Sequence, residues 1–165
     1  MKIEVKKISH NTRLSEETMC FSADLYVDGT KIGEVSNRGH GGCNDFNVYG
    51  AENRALMQKA EEFCKGLQSV RSYDMDLDMD LEFFVTLLVS REISRKEFKR
   101  LCKTKVVFQK NREIYTATVP KGRTPDENYC QGYQKHFSDV KVLNFLPIED
   151  ALDIYNGDDY APLRA

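Results

Sequence analysis

Two stretches of alternating apolar and polar residues, 20–27 (CFSADLYV) and 31–37 (KIGEVSN), flank Asp28-Gly29. Alternation with a period of two puts successive side chains on opposite faces of a strand. Phe21, Ala23, Leu25 and Val27 then share one face, with Cys20, Ser22, Asp24 and Tyr26 on the other. A two-residue Asp-Gly link between such runs is the strongest short-range hairpin signal, because a type I′ turn needs positive φ at both positions. This hairpin commits the front of the chain to antiparallel β structure. The run 2–8 (KIEVKKI), with Ile3, Val5 and Ile8, reads as a further strand, and 46–49 (FNVY) as a short fourth one. The polar stretch NTRLSEET connects the first strand to the second.

The period changes after residue 50. In 51–67, Leu56, Ala60, Phe63, Cys64 and Leu67 form one stripe at helical spacing. Residues 80–91 (DLEFFVTLLVSR) are apolar almost all round and predict a buried helix. Ser94 and Glu97 have capping-box spacing, which predicts a third helix over 95–103. Next come strands 105–109 and 113–119, joined by Lys110-Asn111-Arg112 as a second hairpin. Thr124-Pro125-Asp126-Glu127 predicts a helix start, with Pro at the first helical position, running to about His136. Residues 140–145 read as a strand, and Pro147 opens a last helix stopped at Asn156-Gly157. Short turns between neighbouring strands favour antiparallel pairing, so the expected class is α+β rather than a doubly wound sheet. The expected organisation is one domain: 1–50 mainly β, 51–103 mainly helical, 104–157 mixed, and 158–165 a loose tail.

A chain of 165 residues suits one domain that folds without a metal or disulfide. Five cysteines (20, 43, 64, 102 and 130) form no CxxC pair and read as reduced thiols, implying a cytoplasmic setting. No apolar run reaches the length of a membrane span, and MKIEVKKISHN lacks the apolar core of a signal peptide. The net charge of −2 argues against a non-specific nucleic-acid binder but permits a local basic patch.

The stretch 37–45 (NRGHGGCND) carries the first candidate site: Gly39, His40, Gly41, Gly42, Cys43 and Asp45. Consecutive glycines can turn several backbone N–H groups into one anion-binding concavity. Phosphate loops add a following helix and a Lys at fixed spacing, and both are missing here. His40-x-x-Cys43 is half of a zinc site without a second half, so no metal or cofactor is expected. A Cys43 nucleophile would need a base such as His40, or His136 with Asp139, and a positive setting. Asp45 beside it supplies the opposite charge. The simplest reading is a corner that uses φ > 0 at several positions.

Two charged runs form the second candidate. In 73–82 (YDMDLDMDLE), Asp74, Asp76, Asp78 and Asp80 alternate with apolar residues, followed by Glu82. As a strand, these carboxylates would share a face that could dock on a basic protein surface, such as one that normally holds nucleic acid. Alternatively, only 74–77 are extended, and Asp78, Asp80 and Glu82 decorate a helix N-terminus, where the dipole favours them. An EF-hand is excluded because its glycine and spacing are absent. From Arg91 to Arg112 the charge inverts. Phe98, Leu101 and Cys102 should hold the helix to the core and turn Lys96, Lys99, Arg100 and Lys103 outward, where they could also contact nucleic acid. Tyr129, Tyr133, His136 and Phe137, at helical spacing, read as core packing.

The hairpin Leu25-Tyr26-Val27-Asp28-Gly29-Thr30-Lys31-Ile32-Gly33, followed by Gly39-His40-Gly41-Gly42, resembles the front end of small proteins carried by bacterial phages and mobile elements. The resemblance covers about residues 15–45. It implies a cytosolic accessory protein that binds, and inhibits, a host or defence-system macromolecule such as a CRISPR nuclease. The expected function is therefore non-enzymatic protein binding through the charged faces. A ligand-binding or enzymatic glycine loop is one alternative, and a nucleic-acid binder through the basic segment is the other.

Overall fold

The computed structural model describes residues 1–165 except 73, 74, 158, 159, 161, 162, 164 and 165; the side chains of 71, 72, 75 and 76 are also outside the description. The class is α+β. The chain divides into two compact units, Met1–Glu92 and Ile93–Tyr160, with the division inside one helix.

In the first unit, β1 (Ile3–His10), β2 (Phe21–Val27), β3 (Thr30–Asn37) and β4 (Asp45–Val48) form an antiparallel meander in sequence order. The Asp28-Gly29 turn is as expected. Val27 pairs with Thr30, and φ is 47° at Asp28 and 81° at Gly29. Phe21, Ala23, Leu25 and Val27 are buried, joined by Ile32 and Val35 from β3. Lys7, at φ 52°, sits in a bulge between the Lys6–Asp24 and Ser9–Ser22 pairs. A second irregularity falls between Leu25 and Tyr26. Helix α1 (Ala51–Lys65) lies against β2, β3 and β4 and buries Ala60 and Cys64. The short strands β5 (Val70–Ser72) and β6 (Met75–Leu77) pair as a hairpin.

Helix α2 (Leu81–Cys102) corrects the expectation of two helices. Ser94 caps nothing; its hydroxyl donates to Asn156 Oδ1. The capping-box spacing at 94–97 is embedded in a continuous helix whose buried residues include Leu81, Phe84, Val85, Val89 and Phe98. The true cap is Asp80, whose Oδ1 accepts from Phe83 N at 2.7 Å.

In the second unit, β7 (Lys105–Lys110) lies between β8 (Glu113–Thr118) and β9 (Lys141–Val142). The hairpin turn is Asn111-Arg112 alone, with φ of 51° and 68°; Lys110 belongs to the strand and pairs with Glu113. One face of this sheet meets a core of Phe98, Val107, Leu143, Ala151 and Leu152, built with α4 (Ile148–Asn156). The other face carries Phe108 and Val142 toward α3 (Glu127–His136), whose Tyr133 ring lies 5.4 Å from that of Phe108. The α3 cap is Asp126, accepting from Tyr129 N at 2.8 Å, two residues later than the Thr124 start expected. The expected 140–145 strand shrinks to two residues because the Asn144 side chain takes over the ladder. Its Oδ1 accepts from Val107 N at 2.7 Å, and its Nδ2 donates to Lys105 O at 2.8 Å.

Gly33 is where β4 comes closest to β3: a Cβ there would lie 2.3 Å from the Asn47 carbonyl oxygen. Gly33→Ala should therefore force the two strands apart and cost about 1–3 kcal/mol by overpacking. Urea denaturation measures this, and an unchanged midpoint would contradict the pairing of Gly33 with Val48.

Candidate functional site

The glycine loop folds inward. Asn37, at the end of β3, is 7% exposed and every polar atom of its side chain is used. Its Oδ1 accepts from Thr18 Oγ1 and from Gly39 N, both at 2.8 Å. Its Nδ2 donates to Gly42 O at 2.9 Å and Asn44 Oδ1 at 3.0 Å. The backbone amides of Glu16, Glu17 and Thr18 all donate to the Gly39 carbonyl, at 3.0, 3.0 and 3.4 Å. The concavity suited to an anion is thus made by the 16–18 segment, and the loop fills it with its own carbonyl. Gly39 has φ 88°, and a Cβ there would lie 2.0 Å from Leu14 O, so glycine is required on both counts. Gly41 has φ 83°, and its N–H donates to Thr18 Oγ1 at 3.3 Å.

The chemistry-bearing side chains of this loop point outward. His40 is exposed, with Nδ1 3.1 Å from Glu16 Oε2, and Cys43 and Asp45 are exposed. With Asn37, Arg38 and Gly42, these three residues line an open depression. His40 and Cys43 belong to no cluster able to hold a metal ion among the described residues. Asp139 is paired with Lys110 at 2.7 Å, and the His136 ring meets Phe137 edge-on. Burial pushes the thiols of Cys64 up to about 12 and of Cys102 and Cys130 up to about 11, so these three remain protonated at neutral pH.

In the acidic run, the described side chains are those of Asp78, Asp80 and Glu82, and they serve different ends. Asp74 lies outside the described residues, and Asp76 is on β6, opposite Arg71. Asp78 is exposed, whereas Asp80 is spent as the α2 cap. Glu82 Oε1 accepts from Asn44 N at 2.9 Å; Asn44 Nδ2 also reaches Glu82 O and Thr86 Oγ1, at 3.3 and 2.9 Å. The extended 75–77 segment followed by a helix start matches the alternative reading of this stretch.

The basic run does form one face. Lys96, Lys99, Arg100 and Lys103 are all exposed at i, i+3, i+4 and i+7 of α2, while Phe98 is buried and Leu101 and Cys102 pack on the core. The Arg100 guanidinium is 3.9 Å from Glu97, a long and solvated ion pair.

An aromatic row was the feature least visible in the sequence. Tyr115 stacks on Phe108 at 5.8 Å, Phe108 meets Tyr133 at 5.4 Å, and Tyr133 meets Phe137 at 4.7 Å. Tyr133 and Phe137 read as core from α3 alone. Only strand register brings Phe108 and Tyr115 beside them, and Tyr115 and Phe137 stay 43% and 41% exposed. Along α3 an apolar groove is lined by Cys130, Gln134, Val142, Phe145 and Leu146, with Phe145 exposed at its rim.

No family model, curated protein or solved structure matches the chain. No helix among the described residues is long and apolar enough to cross a membrane.

Removing the Asn37 side chain should leave the buried Gly39 N–H and Gly42 carbonyl without partners. Asn37→Ala is expected to cost about 1–3 kcal/mol, whereas His40→Ala, at an exposed position, should change stability by less than about 0.5 kcal/mol. Paired thermal melts of the two variants check this, and equal losses would contradict the inward-folded loop.

Proposed function

We propose that this is a non-catalytic binding protein that docks on an anionic region of a macromolecular partner through the α2 stripe. The observation that carries the reading is the exposure of Lys96, Lys99, Arg100 and Lys103 on one helical face. The helix that carries them is anchored by the burial of Phe98 behind them. Four cations on a rigid helix act together. They raise the rate of encounter with a negative surface and fix its orientation more than they add affinity. The acidic run is the weaker of the two candidate faces, because Asp80 and Glu82 are committed to hydrogen bonds within the protein. In this reading the partner is a host or defence-system macromolecule, which is what the resemblance of residues 15–45 to phage and mobile-element proteins implies. The enzymatic alternative gains no support from a glycine loop whose carbonyl occupies its own amide cradle.

The test compares the wild type with Lys96→Glu/Lys99→Glu/Arg100→Glu/Lys103→Glu, tagged, in a nuclease-treated bacterial lysate at low salt. The expected result is one stoichiometric protein captured by the wild type, released by added salt, and retained at least about tenfold less by the variant at an unchanged melting temperature. Equal capture by both proteins would sink the reading. Capture found only in a parallel lysate left without nuclease would transfer the stripe to nucleic acid.

A further inference from the structure

The exposed edges of the sheets are not alike. β1 carries Lys2, Lys6 and Lys7 at or beside its edge and is broken by the Lys7 bulge; β4 has four residues and β9 two. Charge, bulges and shortness are the devices that stop an open strand edge from pairing with another chain. β8 has none of them beyond the single charge of Glu113 at its start. It runs for six residues in unbroken register with β7, and from Ile114 to Thr118 it carries no charge, proline or glycine.

Its outward groups follow from the register. The Asn111-Arg112 turn makes Lys110–Glu113 the terminal pair of a two-residue hairpin, so Glu113, Tyr115 and Ala117 direct their N–H and C=O groups to β7. Ile114, Thr116 and Thr118 direct theirs away from it. On the opposite flank of β7 the alternation agrees, with Val107 facing β9 and its carbonyl accepting from Leu143 N at 2.9 Å. Three N–H and three C=O groups thus line the outer edge of β8, and among the described residues no hydrogen bond uses them.

We propose that this edge is a self-association site, where β8 pairs antiparallel with β8 of a second copy about a two-fold axis at Thr116. The sequence is self-complementary in that register. Thr116 faces its own copy, and Ile114 faces Thr118 of the other chain. All three outward-facing residues then form hydrogen-bonded pairs. On the sheet face that carries Phe108, each exposed Tyr115 lies opposite a small Ala117, so the ring covers the space that alanine leaves. Glu113 falls opposite Val119, which keeps the two carboxylates apart. The pairing ends where Arg112 would meet Pro120, a residue with no N–H to give. The product is one continuous sheet with β8 and its copy at the centre. The small net charge of −2 opposes association only weakly.

The test uses the full chain in a Cys43→Ser background, because Cys43 is exposed. Sedimentation equilibrium should show a concentration-dependent dimer. Mild oxidation should cross-link Thr116→Cys across the axis, because Cα atoms of such a pair lie about 5.5 Å apart, within disulfide range. It should not cross-link Thr118→Cys, whose copies would be about 13 Å apart along the strands. Thr116→Lys, which brings two like charges together, should weaken the dimer at least about tenfold. Thr116→Pro should do the same while leaving the β7 ladder intact, because that N–H faces outward. A monomer at every concentration would overturn the proposal. So would a dimer indifferent to both variants, or cross-linking of Thr118→Cys in place of Thr116→Cys. A monomer that instead pairs this edge with an extended peptide would assign it to a different chain, and self-association would fall.

Discussion

The first unit depends on the register of β2, which is hydrogen-bonded on both sides. Because its side chains alternate strictly, a slip of one residue would turn Phe21, Ala23, Leu25 and Val27 to solvent and bring Ser22 and Asp24 inside. Three local features hold the register. The Asp28-Gly29 turn fixes the pairing with β3, and Asp28 also ties back to β1, accepting from Lys2 N at 2.7 Å. The Lys7 bulge absorbs the one extra residue of β1. Gly33 lets β4 approach without a Cβ in the way. α1 can then close over β2, β3 and β4.

The polar groups of this protein divide into those that serve the chain and those that face outward. Asn37, Asn44, Asp80, Glu82 and Asn144 all have the look of functional polar residues, yet each satisfies a backbone or side-chain group inside its own unit. A buried polar group without such partners is costly, and most of this chain's short motifs answer to that cost. The α2 stripe differs because its four cations are all exposed on one face of the helix.

Much of the architecture was legible because it rests on local chemistry. The Asp-Gly turn, the β2 alternation, the α1 stripe and the Gly157 stop each depend on residues close in sequence. The failures have one form: a local signature was overridden by a competing hydrogen-bond partner. Ser94 looked like a cap but bonds Asn156; Thr124 looked like a cap but Asp126 lies nearer the right amide; 140–145 looked like a strand but Asn144 replaces the ladder. The outward set of α2 was readable, since helical spacing alone separates Lys96, Lys99, Arg100 and Lys103 from Phe98. The aromatic row was not, because Phe108 and Tyr115 reach Tyr133 only through strand pairing.

Asp24 bears on how the sheet responds to acid and base. It lies on the outer face of β2, yet it is buried beneath two lysines: Lys31 Nζ is 2.7 Å from Oδ1 and Lys7 Nζ, carried by the bulge, is 3.1 Å from Oδ2. The hydrogen bond from Lys31 first, and then the Lys7 ammonium beside Oδ2, holds the carboxyl below its ordinary 3.8, and the Lys31 contact in turn raises that ammonium above 10.5. A depressed carboxyl pKa contributes stability that is complete above 3.8 and lost as pH falls through the folded value. A raised ammonium contributes stability that is complete below 10.5 and lost as pH climbs through its own. The clamp therefore works as an electrostatic plateau, level across the neutral range and falling away at both extremes. Because Lys7 is largely and Lys31 partly solvated, added salt lowers that plateau and, with it, draws the two ends back toward 3.8 and 10.5.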